Sequence, residues 1–114
     1  MAEILNTALF NDFAELMGAG LHSIITRHLG VSESYVATVS ESFAAGNYKA
    51  MAAAAHPLKS SSLQIGATQV AECAAEIERL GNHATPDIAR LLILVEQLAP
   101  TQAETAEALR ARIA

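Results

Sequence analysis

The stretch AHPLKSSSLQIGA, residues 55–67, places a histidine, a lysine and three serines close together in the chain. On a helix, the side chains of Lys59 and Ser60 lie one turn beyond His56 and share its face. Histidine has an ordinary pKa of about 6.5, so at neutral pH much of it is a neutral imidazole with a nucleophilic ring nitrogen. A lysine ammonium could hold a phosphate oxygen through a charge-assisted hydrogen bond. The residue types and their spacing predict a histidine that can carry a phosphoryl group.

The surroundings of this histidine contain few negative charges. No Asp or Glu occurs from Ser42 through Ala71, although the chain contains 12 acidic residues. An anion at His56 would therefore meet little repulsion from its own helix. Pro57 follows the histidine directly, and an interior proline removes one helical hydrogen bond. We expect Pro57 either to bend the helix at His56 or to be tolerated because the helix faces solvent there.

Apolar residues recur at helical spacing along most of the chain and predict an all-α protein. The expected helices are a short first one with Leu9, Phe13 and Leu16 that ends at Gly18 and Gly20, then four longer ones over residues 21–46, 48–65, 67–81 and 86–113. Asn47 is the expected N-cap of the helix that carries His56, and Thr85 that of the last helix, followed by Pro86 and Asp87.

The last helix is expected to bury one apolar stripe and to kink or split at Pro100. The stripe consists of Ile88, Leu92, Val95, Leu98, Thr105, Leu109 and Ile113. Helices of this length with short polar turns are typical of bundles. We expect an antiparallel up-down four-helix bundle with a short extra N-terminal helix, folded as one domain over residues 1–114.

The side chain of His56 is expected to face solvent, because it lies about 140° from the apolar seam of its own helix. Small and polar neighbours would let a partner protein approach this face. The residues expected to line it are Ala52, Ala53, Ser60, Leu63 and Gln64. Glu78, at the seam edge of the following helix, is the candidate to fix which ring nitrogen of His56 stays protonated.

Charge and composition exclude several other classes of protein. The net charge is −5 with only 7 Lys and Arg, which argues against a nucleic-acid binder. No stretch predicts a signal peptide or a membrane span, and the single cysteine, Cys73, fits a reducing compartment, so we expect a cytoplasmic protein. His22, His28 and His83 lack metal-ligand spacing, so no metal is expected.

The segment HPLKSSSLQIGATQVAECAAEIERLG resembles the histidine-containing phosphotransfer (HPt) domains of two-component phosphorelays. The positions that fall on the family pattern are His56, Leu58, Lys59, Ser61, Ser62, Gly66 and Ala67. The resemblance implies that His56 accepts a phosphoryl group from a receiver-domain aspartate and passes it to another receiver. It also implies that Lys59 stabilises the phosphoryl charge and that Glu78 orients the imidazole. Ser60 departs from the pattern, which usually has glycine there.

The same resemblance sets expectations for partners and cofactors. The expected partners are response-regulator receiver domains and a hybrid sensor kinase, with a Mg²⁺ ion on the receiver and no cofactor on this chain. We expect no autokinase activity, because the chain is too short to contain an ATP-binding domain as well. We expect a monomer, because the exposed face is polar. Two alternatives stay open: a helical adaptor that binds receivers without carrying phosphate, and the phosphoacceptor domain of a chemotaxis-type histidine kinase.

Overall fold

The computed structural model describes residues 3–114, and all regular secondary structure in that range is helical, as the sequence predicts. The helices are α1 (Thr7–Met17), α2 (Leu21–Ala44), α3 (Tyr48–Gln64), α4 (Thr68–Gly81) and α5 (Ile88–Arg112), with a short 3-10 turn, Gly18–Gly20, between α1 and α2. Within the described range, none of these helices combines the length and apolarity that a membrane span needs.

Asparagine side chains cap the first turns of α1 and α3. Asn6 Oδ1 accepts a hydrogen bond from Leu9 N at the start of α1, and Asn47 Oδ1 accepts one from Ala50 N at the start of α3. These bonds satisfy backbone donors that have no partner in the first helical turn. The Asn47 cap is confirmed. It fixes the register of the helix that carries His56.

Four of the helices surround a common core. Helix α2 packs against α3, α3 against α4, α4 against α5, and α5 packs back against α2. The approach of α3 to α4 is especially close, because a Cβ atom at Gly81 would lie 2.9 Å from the carbonyl oxygen of Tyr48. Only glycine fits such a contact without displacing its neighbour. This close packing brings the outer edge of α4 next to the face of α3 that carries His56.

The core consists of two apolar clusters. One contains Met51, Leu58 and Ile77 and lies at the level of His56. The other contains Phe10 and Phe13 of α1 together with apolar residues from the start of α2 and the end of α5. Along α2, α3 and α5, buried polar residues lie in the sequence intervals between these clusters. We call them the core polar layer: Ser32, Ser62, Gln102 and Thr105.

The start of α5 differs from the prediction. Asp87, and not Thr85, is the N-cap, since its Oδ1 accepts a hydrogen bond from Arg90 N at 3.0 Å. A carboxylate is a strong acceptor for first-turn donors, so the helix begins two residues later than expected.

The predicted apolar positions are only partly correct for α1 and α5. In α1, Leu9 is 38% exposed and Leu16 is 78% exposed, whereas Phe10 and Phe13 are buried. In α5, Ile88 and Leu92 are exposed, and the buried face is formed by Leu91, Leu94, Val95, Leu98, Gln102, Thr105, Ala106 and Leu109. Leucine and isoleucine occur on several faces of α5, so spacing alone did not identify the buried one. The helix runs through Pro100 without a split.

Cys73 links α4 to α5. Its thiol is half-buried and donates a hydrogen bond to the carbonyl oxygen of Leu94 at 3.4 Å. Burial raises the pKa of this thiol to about 11, with a small opposing effect from Arg90. The sulfur therefore remains protonated at neutral pH and is a poor nucleophile.

Candidate functional site

His56 projects from the middle of α3 into solvent, with 62% of its side chain exposed. The helix is continuous through Pro57, which sits one residue later. Ala53, whose carbonyl has no donor because Pro57 lacks an N–H, is itself exposed. Water can therefore take the place of the missing donor, which supports the interpretation that solvent exposure makes Pro57 tolerable.

Glu78 of α4 contacts His56 and Lys59 at the same time. Its Oε2 lies 2.6 Å from His56 Nδ1, and its Oε1 accepts a hydrogen bond from Lys59 Nζ at 2.5 Å. The exposed fractions of the Lys59 and Glu78 side chains are 33% and 20%. We call these three residues the His56 cluster. The predicted contact between His56 and Glu78 is present, while the Lys59 contact adds a second partner.

The hydrogen bonds of Glu78 determine the tautomer of His56. The hydrogen bond from Lys59 holds the pKa of Glu78 below its usual value, with a smaller contribution from His56 and an opposing effect of burial. The ionised carboxylate can only accept, so His56 Nδ1 must carry the proton that it donates. In the neutral imidazole, Nε2 then has the free lone pair. The nucleophilic nitrogen is therefore the one that does not contact Glu78.

The three serines after Lys59 have different environments. Ser60 Oγ donates to the carbonyl oxygen of His56 at 3.3 Å, and Ser61 Oγ donates to that of Leu58 at 3.4 Å. Both hydroxyls thus bond to their own helix. Ser62 is completely buried and belongs to the core polar layer. Of the three, Ser60 is the exposed one, and it shares the face of His56.

The surface around His56 is formed mainly by small and apolar side chains. Ala53, Ser60, Leu63 and Gln64 are exposed, as helix phase predicts. Ala52 does not belong to this face, because only 2% of it is exposed. Helix α4 covers it at the close approach of Gly81, which the sequence pattern did not indicate.

A groove lies beside His56, between α2 and α3. It has a volume of about 320 Å³, and its lining includes Ile24, Val31, Tyr35 and Pro57. Ile24 and Val31 are among the exposed large apolar residues. The groove extends the apolar surface around His56 onto α2, an extension that sequence reasoning missed because it followed the His56 helix alone.

The remaining histidines do not join the His56 cluster. His28 lies on α2, where its Nε2 and Ser32 Oγ share a hydrogen bond at 3.0 Å, and burial lowers its pKa. His22 and His83 are exposed. Within residues 3–114, no group of His, Cys, Asp and Glu is arranged to hold a metal ion.

The comparisons with known proteins identify the family. A family model described as the Hpt domain matches residues 24–112, from the first turns of α2 to the end of α5. No curated protein and no solved structure gives a match to this chain. The matched range contains the whole His56 cluster and most of the chain. The protein therefore belongs to the Hpt domain family, whose members carry phosphoryl groups on histidine in phosphorelay signalling.

Proposed function

We propose that His56 accepts a phosphoryl group from the aspartyl phosphate of one receiver domain and passes it to the aspartate of another. The observation that carries this proposal is the exposed imidazole whose Nδ1 is held by an ionised carboxylate. That contact leaves Nε2 as a free nucleophile on a surface that a partner can reach. Membership in the Hpt family supports the same reaction.

In the proposed transfer, Nε2 of His56 attacks the phosphorus atom of the aspartyl phosphate. The Nε2–P bond forms, the bond between phosphorus and the aspartate oxygen breaks, and its electron pair remains on the aspartate carboxylate. The proton on Nδ1 stays in the hydrogen bond to Glu78, which stabilises the positive charge that the ring acquires. Lys59 stabilises the negative charge of the phosphoryl group, because positioning and charge neutralisation dominate this type of reaction.

The receiver is expected to dock on the exposed face around His56, with Leu63 and the groove between α2 and α3 supplying apolar contact. The receiver would also bring the Mg²⁺ ion, while this chain would need no cofactor and have no autokinase activity. A hybrid sensor kinase is the proposed source of the phosphoryl group. In this proposal the chain acts as a cytoplasmic monomer.

We also propose the finer architecture that this role requires. The ring of contacts through α2, α3, α4 and α5, joined by short turns, supports an antiparallel up-down bundle folded as one domain. Helix α1 lies before the range that the family model matches, which supports its being an addition to the bundle.

The experiment is to mix the purified protein with a receiver domain charged on its aspartate with labelled phosphate. We expect acid-labile, alkali-stable label on this protein, and none on His56→Gln. The matched control is His83→Gln, which removes an exposed histidine outside the cluster and should be labelled like the wild type. Label that persists in folded His56→Gln would refute the site. Receiver binding without label on the wild type would favour the adaptor alternative.

A further inference from the structure

We infer that Glu78 competes with the phosphoryl group for Lys59 and thereby limits how strongly this protein retains its phosphate. This inference rests on the proposed function, because it concerns phosphate on His56. It assigns Glu78 a second role beside the orientation of the imidazole. The two roles depend on different oxygens of the same carboxylate.

Both oxygens of the Glu78 carboxylate are occupied in the structure. Oε2 is bonded to the ring nitrogen of His56 at 2.6 Å, and Oε1 to Lys59 Nζ at 2.5 Å. The positive charge of Lys59 is thus neutralised before any phosphate arrives. A lysine beside an exposed histidine would otherwise be free to bind a phosphoryl oxygen.

Lys59 can reach a phosphoryl group only by leaving Glu78 or by sharing its donors with it. A lysine ammonium has three N–H donors on a flexible stem, so both arrangements are geometrically accessible. In either arrangement, part of the attraction between Lys59 and the phosphate is offset by the contact with Glu78 that is lost or weakened. The Glu78 side chain is 20% exposed, so water compensates for part of the lost contact and the offset is partial.

The one arginine of α4 does not relieve this competition. Arg79 is the neighbouring residue, but its guanidinium is bonded to both carboxylate oxygens of Glu76, at 2.5 and 3.1 Å. Lys59 is therefore the lysine or arginine that contacts Glu78 in the described part of the chain. The carboxylate of Glu78 and the phosphoryl group must therefore share the positive charge of Lys59.

The consequence is a carrier that gives up its phosphate readily. A phosphoryl group held by an unshared lysine would be stabilised on His56 and would leave more slowly. The Glu78→Gln variant weakens the contact with Lys59 while it retains a hydrogen-bond acceptor for His56. Its amide oxygen can still accept the hydrogen bond from Nδ1 of His56, but it has no negative charge with which to hold Lys59.

The test is a double-mutant cycle on the equilibrium distribution of labelled phosphate between this protein and a receiver. The proteins are the wild type, Lys59→Ala, Glu78→Gln and the double variant. In each background, the loss of phosphate that Lys59→Ala causes measures how much Lys59 contributes. We expect this contribution to be larger in the Glu78→Gln background by about threefold or more.

Glu76→Gln is the matched control, since it makes the same chemical change two residues away in a pair with Arg79. It should leave the contribution of Lys59 unchanged, and circular dichroism should show that all variants remain folded. An equal or smaller contribution of Lys59 in the Glu78→Gln background would overturn the inference. The failure of the proposed function would be distinct, because the wild-type protein would then take no label from any receiver.

Discussion

The His56 cluster and the core polar layer place polar side chains in opposite situations. At the surface, both carboxylate oxygens of Glu78 have a hydrogen-bond partner, although water could reach the cluster. In the core, Ser62 Oγ and both amide atoms of Gln102 are buried without a hydrogen-bond partner. The unpaired polar atoms therefore lie where their desolvation is most costly.

The two regions should therefore affect different properties of the protein. Removing a side chain from the His56 cluster leaves groups that water can solvate, so stability should change little while phosphate chemistry changes much. Ser32 and Thr105 of the core polar layer are hydrogen-bonded, whereas Ser62 and Gln102 have buried polar atoms without a partner. Removing one of these unpaired groups removes its desolvation cost, so stability should rise while the chemistry stays the same. The comparison fails if either region affects both properties.

The largest effect is expected for Lys59→Ala. Loss of the ammonium should slow phosphoryl transfer by about 10- to 100-fold, because one charged donor that stabilises a transition state is removed. The free energy of unfolding should fall by about 1 kcal/mol or less, because the pair with Glu78 is partly exposed. Rapid-quench transfer assays and urea denaturation give the two values.

Lys49→Ala provides the control for this variant, since it removes an exposed lysine from the first turn of the same helix. It should leave the transfer rate unchanged. A Lys59→Ala protein that transfers at the wild-type rate would remove Lys59 from the mechanism. A protein that instead loses several kcal/mol would show that the cluster is a structural element.

The second prediction concerns Gln102 in the core polar layer. Methionine has a similar length and no amide, so Gln102→Met should raise the free energy of unfolding by about 1–2 kcal/mol. Gln102 also lines a cleft of about 180 Å³ between α2 and α5, which leaves room for the larger sulfur atom. Denaturation in urea measures the change, and the rate of labelling of His56 should be unaltered.

Gln97→Met is the control on the same helix, because Gln97 is exposed and the substitution there removes no buried amide. Its stability should remain close to that of the wild type. A loss of stability in Gln102→Met would mean that the amide is satisfied in solution, and the contrast between the two regions would then be weaker than the structure indicates.

A smaller effect is expected for Ser62→Ala. The substitution removes one unpaired hydroxyl from the core and increases helix propensity, so the free energy of unfolding should rise by about 0.5–1 kcal/mol. Ser61→Ala is the neighbouring control, since that hydroxyl is half-buried and bonded to Leu58 O. A lower midpoint of thermal unfolding in Ser62→Ala than in Ser61→Ala would contradict this assignment.

The two regions also differ in how far the sequence could predict them. The exposure of His56 and its contact with Glu78 followed from helix phase, because each residue lies at a fixed angle from an apolar seam. The second contact of Glu78, to Lys59, joins two long side chains on different helices and has no periodic signal. Gln102 was not expected in the core, because glutamine is mostly found at exposed positions.

The smallest effect concerns pH and the histidine beside the core polar layer. Burial lowers the pKa of His28 in the folded protein, so between its folded pKa and its ordinary value of 6.5 the unfolded chain binds more protons. The contribution of His28 to the free energy of unfolding is therefore complete above pH 6.5 and is lost as the pH falls toward the folded pKa.

The His28→Gln variant tests this contribution. Its amide can still bond to Ser32, so the fall in stability over this pH range should be weaker than in the wild type. His22→Gln, an exposed change on the same helix, should behave like the wild type. Urea denaturation at several pH values measures how the free energy of unfolding changes with pH. The same pH dependence in His28→Gln and in the wild type would show that His28 is solvated. The core polar layer would then be open to water at its α2 edge, and its polar groups would be solvated like those of the His56 cluster.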